Sequence, residues 1–292
     1  MATLGFIGTG GMGSGMAANL LKAGHKLCVT DLRREQCRGL EKQGALFKDS
    51  PKAIAESCEI VLSMLPYNQA VQAVGLGKGG LHEASAGAKL WIDFSSIDKK
   101  TIVGVNAELG KKGWTIVDGS AGGVEEAAAA GTLSLWLSGS KEVFDAHQAI
   151  FKAMGNKILY VGELGNAKLV KNAMAMFAAV QVLSLAETCA WLKKGGLKED
   201  IFRTILKKSP QDSVAIDRIM EIIVSKKYKP RKSWMPKDIG FGLDMAREMA
   251  VPMPFVGLAQ QMFAIAQATG QDGYEATGIA CNVYDIITGA TK

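Results

Sequence analysis

The first thirty-one residues constrain the fold of this chain more than any other segment. A short apolar run ends in the turn Gly8–Gly13, a helical segment follows, and a second apolar run ends at Asp31. This order and spacing are typical of a βαβ unit that binds a dinucleotide at the turn. The predicted contacts to the pyrophosphate come from the turn and the start of the helix: Gly8, Gly10, Gly11, Met12 and Gly13.

Three of these glycines have separate physical roles. Gly8 permits a sharp turn out of the strand, Gly10 lets the backbone approach a pyrophosphate, and Gly13 lets the helix pack closely on the strand. The helix that begins here directs its unpaired N–H groups and the positive end of its dipole at the phosphates. The alternative interpretation is a glycine-rich turn that only connects two elements.

The residue at the end of the second strand indicates which dinucleotide is bound. An acid there hydrogen-bonds the ribose 2′-hydroxyl of NAD and repels the 2′-phosphate of NADP. Asp31 holds this position, so the sequence favours NAD over NADP. Arg33 and Arg34 follow closely and keep NADP as the alternative, because a guanidinium could neutralise the phosphate.

Composition and cysteine usage limit the class of protein. The chain has 292 residues, 48% of them hydrophobic and 21% charged, which is typical of a soluble globular protein. The five cysteines are scattered without a C-x-x-C pair, and the three histidines lie far apart. We therefore expect no metal site and a reducing, cytoplasmic location. No apolar run approaches the length that spans a bilayer, so no membrane association is expected.

The net charge of +6 is concentrated late in the chain, around residues 207–237. No aromatic interleaving or DNA-reading motif accompanies these lysines and arginines, so a nucleic-acid partner is not expected. A solvated basic face is one interpretation of the charge. A positive field that assists an anionic substrate or cofactor is the other.

The first half of the chain alternates short apolar runs with helical segments. This alternation, with runs that are almost continuously apolar, predicts an α/β fold with a doubly wound, mostly parallel sheet that is buried on both faces. The predicted strands span residues 3–8, 26–31, 59–65, 89–95, 114–118, 133–138 and 157–161.

The second half reads as helical throughout. Residues 166–194 contain no Gly or Pro and predict one long helix that ends at Gly195-Gly196. We expect a dinucleotide-binding domain over 1–164 and an all-helical domain over 165–292, which begins with the long helix. Apolar helices in the second domain suggest a homo-oligomer, a dimer or tetramer, although the same pattern fits helices that form the core of the domain. The further helices are predicted at about 198–208, 211–225, 236–249, 253–268 and 273–288.

Sequence blocks along nearly the whole chain resemble the β-hydroxyacid dehydrogenases, which include 3-hydroxyisobutyrate, tartronate semialdehyde and glyoxylate reductases. The most specific blocks are 5–25 and 237–240. The resemblance implies a Rossmann-type domain, a long interdomain helix and an all-α C-terminal domain. The other matching blocks are residues 63–66, 93–96, 118–123, 131–133, 161–165 and Glu187.

The same resemblance implies an NAD(P)-dependent enzyme that transfers a hydride between nicotinamide and a small anionic hydroxy acid, or its aldehyde or keto form. It places Leu65, Pro66 and Ser96 beside the cofactor, and Lys237 as a residue that closes over it. Two alternatives remain open at this point. One is an imine reductase-like enzyme, and the other is a dinucleotide-binding interaction module without catalysis.

By the same resemblance, a lysine on the first turns of the long helix is the general acid and base. Lys171 fits the family spacing from Gly162, Gly165 and Glu187. Lys168 instead fits a local match in which an asparagine, Asn172, follows four residues later. We favour Lys171 and keep Lys168 as the second candidate. Because α-helical residues advance about 100° each, all three polar side chains share an arc of about 100°.

The substrate site departs from the family pattern at two positions. Under the Lys171 alignment the asparagine of the family becomes Ala175, and the block 118–123 holds Ala121 or Gly122 where a serine is usual. Backbone N–H groups of adjacent glycines can still bind an anion. The candidate substrate ligands are therefore Ser120, Gly122, Gly123 and Asn172.

Overall fold

A computed structural model describes residues 1–289 of the chain. Internal contacts divide the chain into a unit that contains the sheet, Met1–Lys171, and a helical unit from Asn172 onward. The first turn of the long helix therefore groups with the sheet. The predicted domain boundary between residues 164 and 165 remains a prediction.

One eight-stranded sheet forms the centre of the first unit, in the order β3-β2-β1-β4-β5-β6-β7-β8. Every neighbouring pair is parallel except β6 with β7, which confirms the predicted α/β fold. The strands are β1 (Thr3–Ile7), β2 (Lys26–Thr30), β3 (Leu46–Phe47), β4 (Ile60–Ser63), β5 (Leu90–Asp93), β6 (Thr115–Gly122), β7 (Leu133–Ser138) and β8 (Gly155–Tyr160).

Helices cover the sheet, and both of its faces are buried. Leu4 and Phe6 of β1 pack into one apolar cluster, whereas Ile7 packs into a second cluster with Trp91 of β5. This explains why the strand runs are almost continuously apolar. The helices of this unit are α1 (Gly11–Lys22), α2 (Arg38–Glu41), α3 (Pro51–Ser57), α4 (Asn68–Leu76), α5 (Lys99–Gly110), α6 (Glu125–Ala130), α7 (Lys141–Ala146) and α8 (Gln148–Met154).

The long helix α9 spans Asn166–Lys194, as its lack of Gly and Pro predicts. It ends before Gly195, and Gly196 takes a left-handed conformation with φ of +85°. The helices that follow confirm the all-helical reading of the second half: α10 (Glu199–Leu206), α11 (Val214–Ser225), α12 (Met235–Glu248), α13 (Pro254–Ala268) and α14 (Ala276–Ile287).

The prediction that no apolar run could span a bilayer is wrong for α9. This helix is long and apolar enough to cross a membrane, judged by length and composition alone. Within the helical unit, however, Ala179, Val182 and Ala186 of α9 are buried against α12, α13 and α14 residues such as Ile239 and Phe263. Part of the apolar surface of α9 therefore packs in the core of the helical unit.

The structure also extends one predicted strand and adds one short strand to the sheet. β6 continues to Gly122, four residues beyond the predicted end, because Gly119–Gly122 pair antiparallel with β7. β3 is only two residues long and pairs with Cys28 and Val29 of β2. Neither a glycine-rich run nor a dipeptide carries a strand signal in the sequence.

Candidate functional site

The turn after β1 forms an open cradle at the start of α1. A Cβ on Gly8, whose φ is +90°, would lie 2.4 Å from the carbonyl oxygen of Met64, and a Cβ on Gly13 would lie 1.9 Å from the carbonyl oxygen of Gly8. Only glycine fits at these two positions. A Cβ on Gly10 would meet no atom within 4 Å, so the space above the turn is open. The cradle therefore fits a pyrophosphate held by the N-terminus of α1.

Asp31 lies directly after β2, next to this cradle. Its Oδ2 accepts the backbone N–H of Thr9 at 2.8 Å, and its Oδ1 accepts that of Arg33 at 2.9 Å. These bonds fix the carboxylate between the glycine turn and the residues that follow β2. The Arg34 guanidinium is engaged elsewhere, because it binds both carboxylate oxygens of Glu41 at 2.5 and 2.7 Å.

The loop after β4 carries the next two predicted cofactor contacts. The backbone N–H of Leu65 donates to the Ser95 hydroxyl at 2.8 Å, which fixes this loop against the end of β5. Pro66 beside it is exposed, and Ser96 is half-buried. The structure thus brings Leu65, Pro66 and Ser96 to the carboxyl end of the sheet, where open α/β sheets bind their ligands.

Lys168 is completely buried, although it carries a charge. Its Nζ donates to the Asp93 carboxylate at 2.9 Å, to the Asp93 carbonyl at 2.9 Å and to the Gly119 carbonyl at 2.7 Å. The side chains of Lys168 and Asp93 are both 0% exposed. Since an ammonium has three N–H groups, these acceptors use its full donor capacity.

Hydroxyl groups complete the surroundings of Asp93. Its Oδ1 accepts the hydroxyls of Ser63 at 2.6 Å and Ser95 at 2.5 Å. The Trp91 indole N–H in turn donates to the Ser63 hydroxyl at 2.8 Å. Three donors thus bind the buried carboxylate, two hydroxyls at Oδ1 and the Lys168 ammonium at Oδ2.

Asp118 forms a second buried anchor for α9. Its carboxylate accepts the Ser138 hydroxyl at 2.6 Å and the Gly165 N–H at 2.9 Å, and the Ser138 hydroxyl accepts the Ala167 N–H at 3.0 Å. Burial raises the pKa of the Asp118 carboxyl above its ordinary value, and the nearby Lys168 charge opposes this change. The residues before and inside the first turn of α9 are therefore fixed to β6 and β7.

Lys171 lies less than one helical turn beyond Lys168 and is half-buried. Its Nζ donates to the carbonyl oxygen of Ala121 at 3.1 Å. Gly122 and Gly123, the predicted anion-binding pair, come directly after Ala121 in the chain. Gly123 has a φ of +138°. The Lys171 amine of α9 is thus bound at the end of β6, next in sequence to these two glycines.

The indole of Trp136, on β7, takes up the space beside Gly122. A Cβ on Gly122 would lie 2.6 Å from Cη2 of this ring. Ser120, which pairs with Trp136 across the two strands, is fully buried. Its hydroxyl has no hydrogen-bond partner within residues 1–289.

Two predicted site residues belong to the helical unit. Asn172 follows Lys171 on α9 and is 1% exposed. Lys237 on α12 lies 3.4 Å from the Asp238 carboxylate, and its Nζ is 5.3 Å from the ring centre of Trp234 and 5.6 Å from that of Phe241. Lys237 is thus framed by two aromatic rings of its own unit.

Sequence reasoning missed three residues near the site. The sequence marks Asp93 only as part of a matching block and Trp136 only as part of a strand, and no predicted motif contains Glu125. A Cβ on Gly11 would lie 1.9 Å from Oε1 of Glu125, so this carboxylate lies beside the start of α1. The doubled acid that begins α6 is the signal that could have drawn attention to it.

Two family models together match most of the chain. The NAD binding domain of 6-phosphogluconate dehydrogenase matches residues 3–162. The NAD-binding domain of NADP-dependent 3-hydroxyisobutyrate dehydrogenase matches residues 165–281.

Similar known proteins span the full chain. A 3-hydroxyisobutyrate dehydrogenase of Pseudomonas aeruginosa is 33% identical, over 93% of this chain and 94% of that protein. A 2-(hydroxymethyl)glutarate dehydrogenase of Eubacterium barkeri is 30% identical, over 99% of this chain and 96% of that protein. The solved structure of the 3-hydroxyisobutyrate dehydrogenase of Mycobacterium tuberculosis with L-serine is 25% identical, with a TM-score of 0.88, and covers 97% of this chain and 99% of that one.

Proposed function

The chain belongs to the β-hydroxyacid dehydrogenase family, and from that membership we propose that it transfers a hydride between a nicotinamide dinucleotide and a small β-hydroxy acid, with Lys171 as the general acid and base. The observation that carries the proposal is the position of the Lys171 amine. It lies 3.1 Å from the Ala121 carbonyl, beside the Gly122-Gly123 segment.

The names of the three relatives suggest a substrate class. The compounds in these names share one form, an α-carbon that carries both a carboxylate and a CH2OH group. They are 3-hydroxyisobutyrate, 2-(hydroxymethyl)glutarate and L-serine. They differ in the third group on the α-carbon, which is a methyl, a second acid arm or an ammonium. We propose a substrate of this form, whose carboxylate is bound by backbone N–H groups of Gly122 and Gly123.

The residues at the glycine turn fit the cofactor. The open space above Gly10 and the N-terminus of α1 would hold the pyrophosphate, and Asp31 would hold the ribose. When bound, the nicotinamide supplies the hydride acceptor or donor. NAD is the proposed form, because Asp31 faces the ribose position and the Arg34 guanidinium is already paired with Glu41.

Lys171 would hold and move the proton of the reaction. In the oxidation direction, its neutral amine accepts the proton of the substrate hydroxyl as the C–H bond breaks, which yields an aldehyde. In reduction, its ammonium returns a proton to the aldehyde oxygen. Lys168 is less suited to this role, since its three N–H groups are bound to Asp93 and Gly119.

A second copy of the chain is the proposed partner of the helical unit. Phe177 on α9 and Phe255 and Leu258 on α13 are 62%, 74% and 64% exposed. An open groove of about 370 Å³ is lined by apolar residues of α9 and of the segment 252–256. Exposed apolar area of this kind favours self-association. Light scattering on the purified protein tests this, and a strictly monomeric mass at micromolar concentration contradicts it.

The cytoplasm is the proposed location. Four of the five cysteines are buried free thiols, and the fifth is a half-buried free thiol, which suits a reducing compartment. Subcellular fractionation of the native host tests this proposal.

One assay tests the proposed function. The purified protein is mixed with NAD⁺ or NADP⁺ and each of 3-hydroxyisobutyrate, 2-(hydroxymethyl)glutarate and L-serine, and absorbance of the reduced nicotinamide is followed. We expect turnover of at least one acid, faster with NAD⁺ than with NADP⁺. Cofactor binding without turnover of any of the three acids, or of semialdehydes and imines in the reverse direction, would favour an interaction module.

A further inference from the structure

Buried side chains connect the first turn of α9, which carries Lys168, to the loop after β4, which carries Leu65. On one side, Lys168 binds the Asp93 carboxylate through Oδ2 at 2.9 Å. On the other side, Asp93 Oδ1 accepts the Ser95 hydroxyl at 2.5 Å, and the Ser95 oxygen accepts the Leu65 N–H at 2.8 Å. A continuous chain of hydrogen bonds therefore joins Lys168 to the loop that carries Leu65.

Lys168 and Lys171 bind neighbouring carbonyl groups of the same strand. The two residues are three apart on α9, and their amines bind carbonyls two apart on β6, those of Gly119 and Ala121, at 2.7 and 3.1 Å. The first of these bonds is buried and shorter, and its donor is also paired with the Asp93 carboxylate, so it is the stronger constraint. The second involves a half-buried side chain that must be free to act on a substrate.

No stability argument requires a charged pair at this position. A buried ion pair is often matched in stability by well-packed apolar residues, because both charges lose their hydration. Such a pair has a specific geometry, however, since the ammonium must reach three fixed acceptors at once. Here those acceptors come from two different strands, β5 and β6.

We propose that Lys168, through its ion pair with Asp93, is a positioning residue that fixes the Lys171 amine relative to the cofactor loop. The proposal rests on the proposed function, in which Lys171 is the acid and base. Lys168 itself does not exchange a proton with the substrate. It restrains the first turn of α9 and the Leu65 loop together. The Lys171 amine and the residues that contact the cofactor therefore keep a fixed distance and orientation.

The test uses the double variant Lys168→Met/Asp93→Asn in the full-length protein. Met keeps most of the side-chain volume, and Asn keeps an oxygen for the Ser63 and Ser95 hydroxyls, so the double variant leaves no lone buried charge. Lys89→Met is the matched control, because Lys89 lies just before the other end of β5 and binds the Ala84 carbonyl at 3.3 Å.

With 3-hydroxyisobutyrate and NAD⁺ as probes, we expect kcat of the double variant to fall by about 10- to 100-fold. KM for NAD⁺ changes little, and both limbs of the kcat–pH profile remain. The control keeps the wild-type kcat. A folded double variant with wild-type kcat overturns the proposal, and so does the loss of a pH limb, which identifies Lys168 itself as the acid and base.

Hydrogen exchange decides the proposal without any substrate. In the double variant, peptides that cover residues 61–67 and 165–172 should both exchange faster, whereas Lys89→Met leaves both unchanged. Faster exchange in 165–172 alone contradicts the coupling. If the double variant does not fold, Ser95→Ala breaks the same link at the Leu65 end, and it should lower kcat with the same pattern. Absence of turnover by the wild-type protein counts against the proposed function, not against this coupling.

Discussion

The Lys168 ammonium and the Asp93 carboxylate are 2.9 Å apart, and neither side chain is reached by solvent. They lie 75 residues apart in the chain, on α9 and β5. Lys168 lies about one helical turn before Lys171, the proposed acid and base. Asp93 is linked through the Ser95 hydroxyl to the loop that carries Leu65. The ion pair distinguishes the fully buried Lys168 from the half-buried Lys171, whose amine binds the Ala121 carbonyl.

Removal of one member of this pair should strongly destabilise the protein. Lys168→Met leaves the Asp93 carboxylate buried without its cation, so the free energy of unfolding should fall by about 3–5 kcal/mol. Addition of Asp93→Asn should recover part of that loss. Urea denaturation measures both. The exposed pair Lys141–Asp145 supplies the control, since Lys141→Met should cost about 1 kcal/mol or less.

The contact between Gly122 and Trp136 should make position 122 intolerant of a side chain. Gly122→Ser places a Cβ about where the indole already lies, which should cost about 1–3 kcal/mol of stability and lower kcat/KM. Trp136→Leu in the same chain should restore the stability, because it empties that space. Thermal denaturation of the single and double variants checks this.

A serine at Gly104 is the matched control for that pair. Gly104 lies in α5, and a Cβ there would meet no atom within 4 Å. Gly104→Ser should leave kcat/KM unchanged. Equal loss of activity at positions 104 and 122 would mean that the Trp136 contact does not matter.

Glu125 should weaken the binding of the cofactor. Its carboxylate lies beside Gly11 at the start of α1, where a pyrophosphate would be held. Two like charges about 4 Å apart repel by about 1 kcal/mol in water, so Glu125→Gln should tighten NADH binding about fivefold at low salt. The gain should shrink as salt is added. Fluorescence titration measures it, and Glu142→Gln on the first turn of α7 is the control.

The Asp118 carboxyl should give the folding stability a specific pH dependence. Because burial raises its pKa in the folded state, the folded protein keeps this proton to a higher pH than the unfolded chain does. The contribution of Asp118 is therefore fully present below the ordinary pKa of 3.8 and is lost as pH rises through the folded-state value.

The stability difference between the wild-type protein and Asp118→Asn isolates this effect. That difference, taken as wild type minus variant, should decrease as pH rises from about 3 to about 7. Urea denaturation across this range measures it. A difference that grows with pH would show that the Lys168 cation, and not burial, dominates the environment of Asp118.

Much of the fold follows from local sequence patterns. The helix predicted over 166–194 matches α9 residue for residue, because nothing in that stretch interrupts a helix and two glycines end it. The glycine turn and Asp31 are also where the pattern predicts them, since the βαβ fingerprint is contained within one short segment. Such features depend only on neighbours in the chain.

The remaining parts depend on partners that are distant in sequence. Gly119–Gly122 form a strand only because β7 pairs with them, and the glycines themselves favour a loop. Spacing favours Lys171 over Lys168, but it gives no sign that Lys168 is buried, because that burial is set by Asp93 and Gly119, 75 and 49 residues away. Long-range pairing of this kind leaves no periodic signal in the chain.

The most direct test of the central claim is the rate of hydride transfer in Lys171→Met. With NAD⁺ and the acid that the wild-type protein turns over fastest, we expect kcat to fall by about 10²- to 10⁴-fold, because a general acid and base contributes about that much. NADH binding, measured by fluorescence, should stay at the wild-type value. A Lys171→Met protein that binds NADH normally and keeps the wild-type kcat would contradict the account.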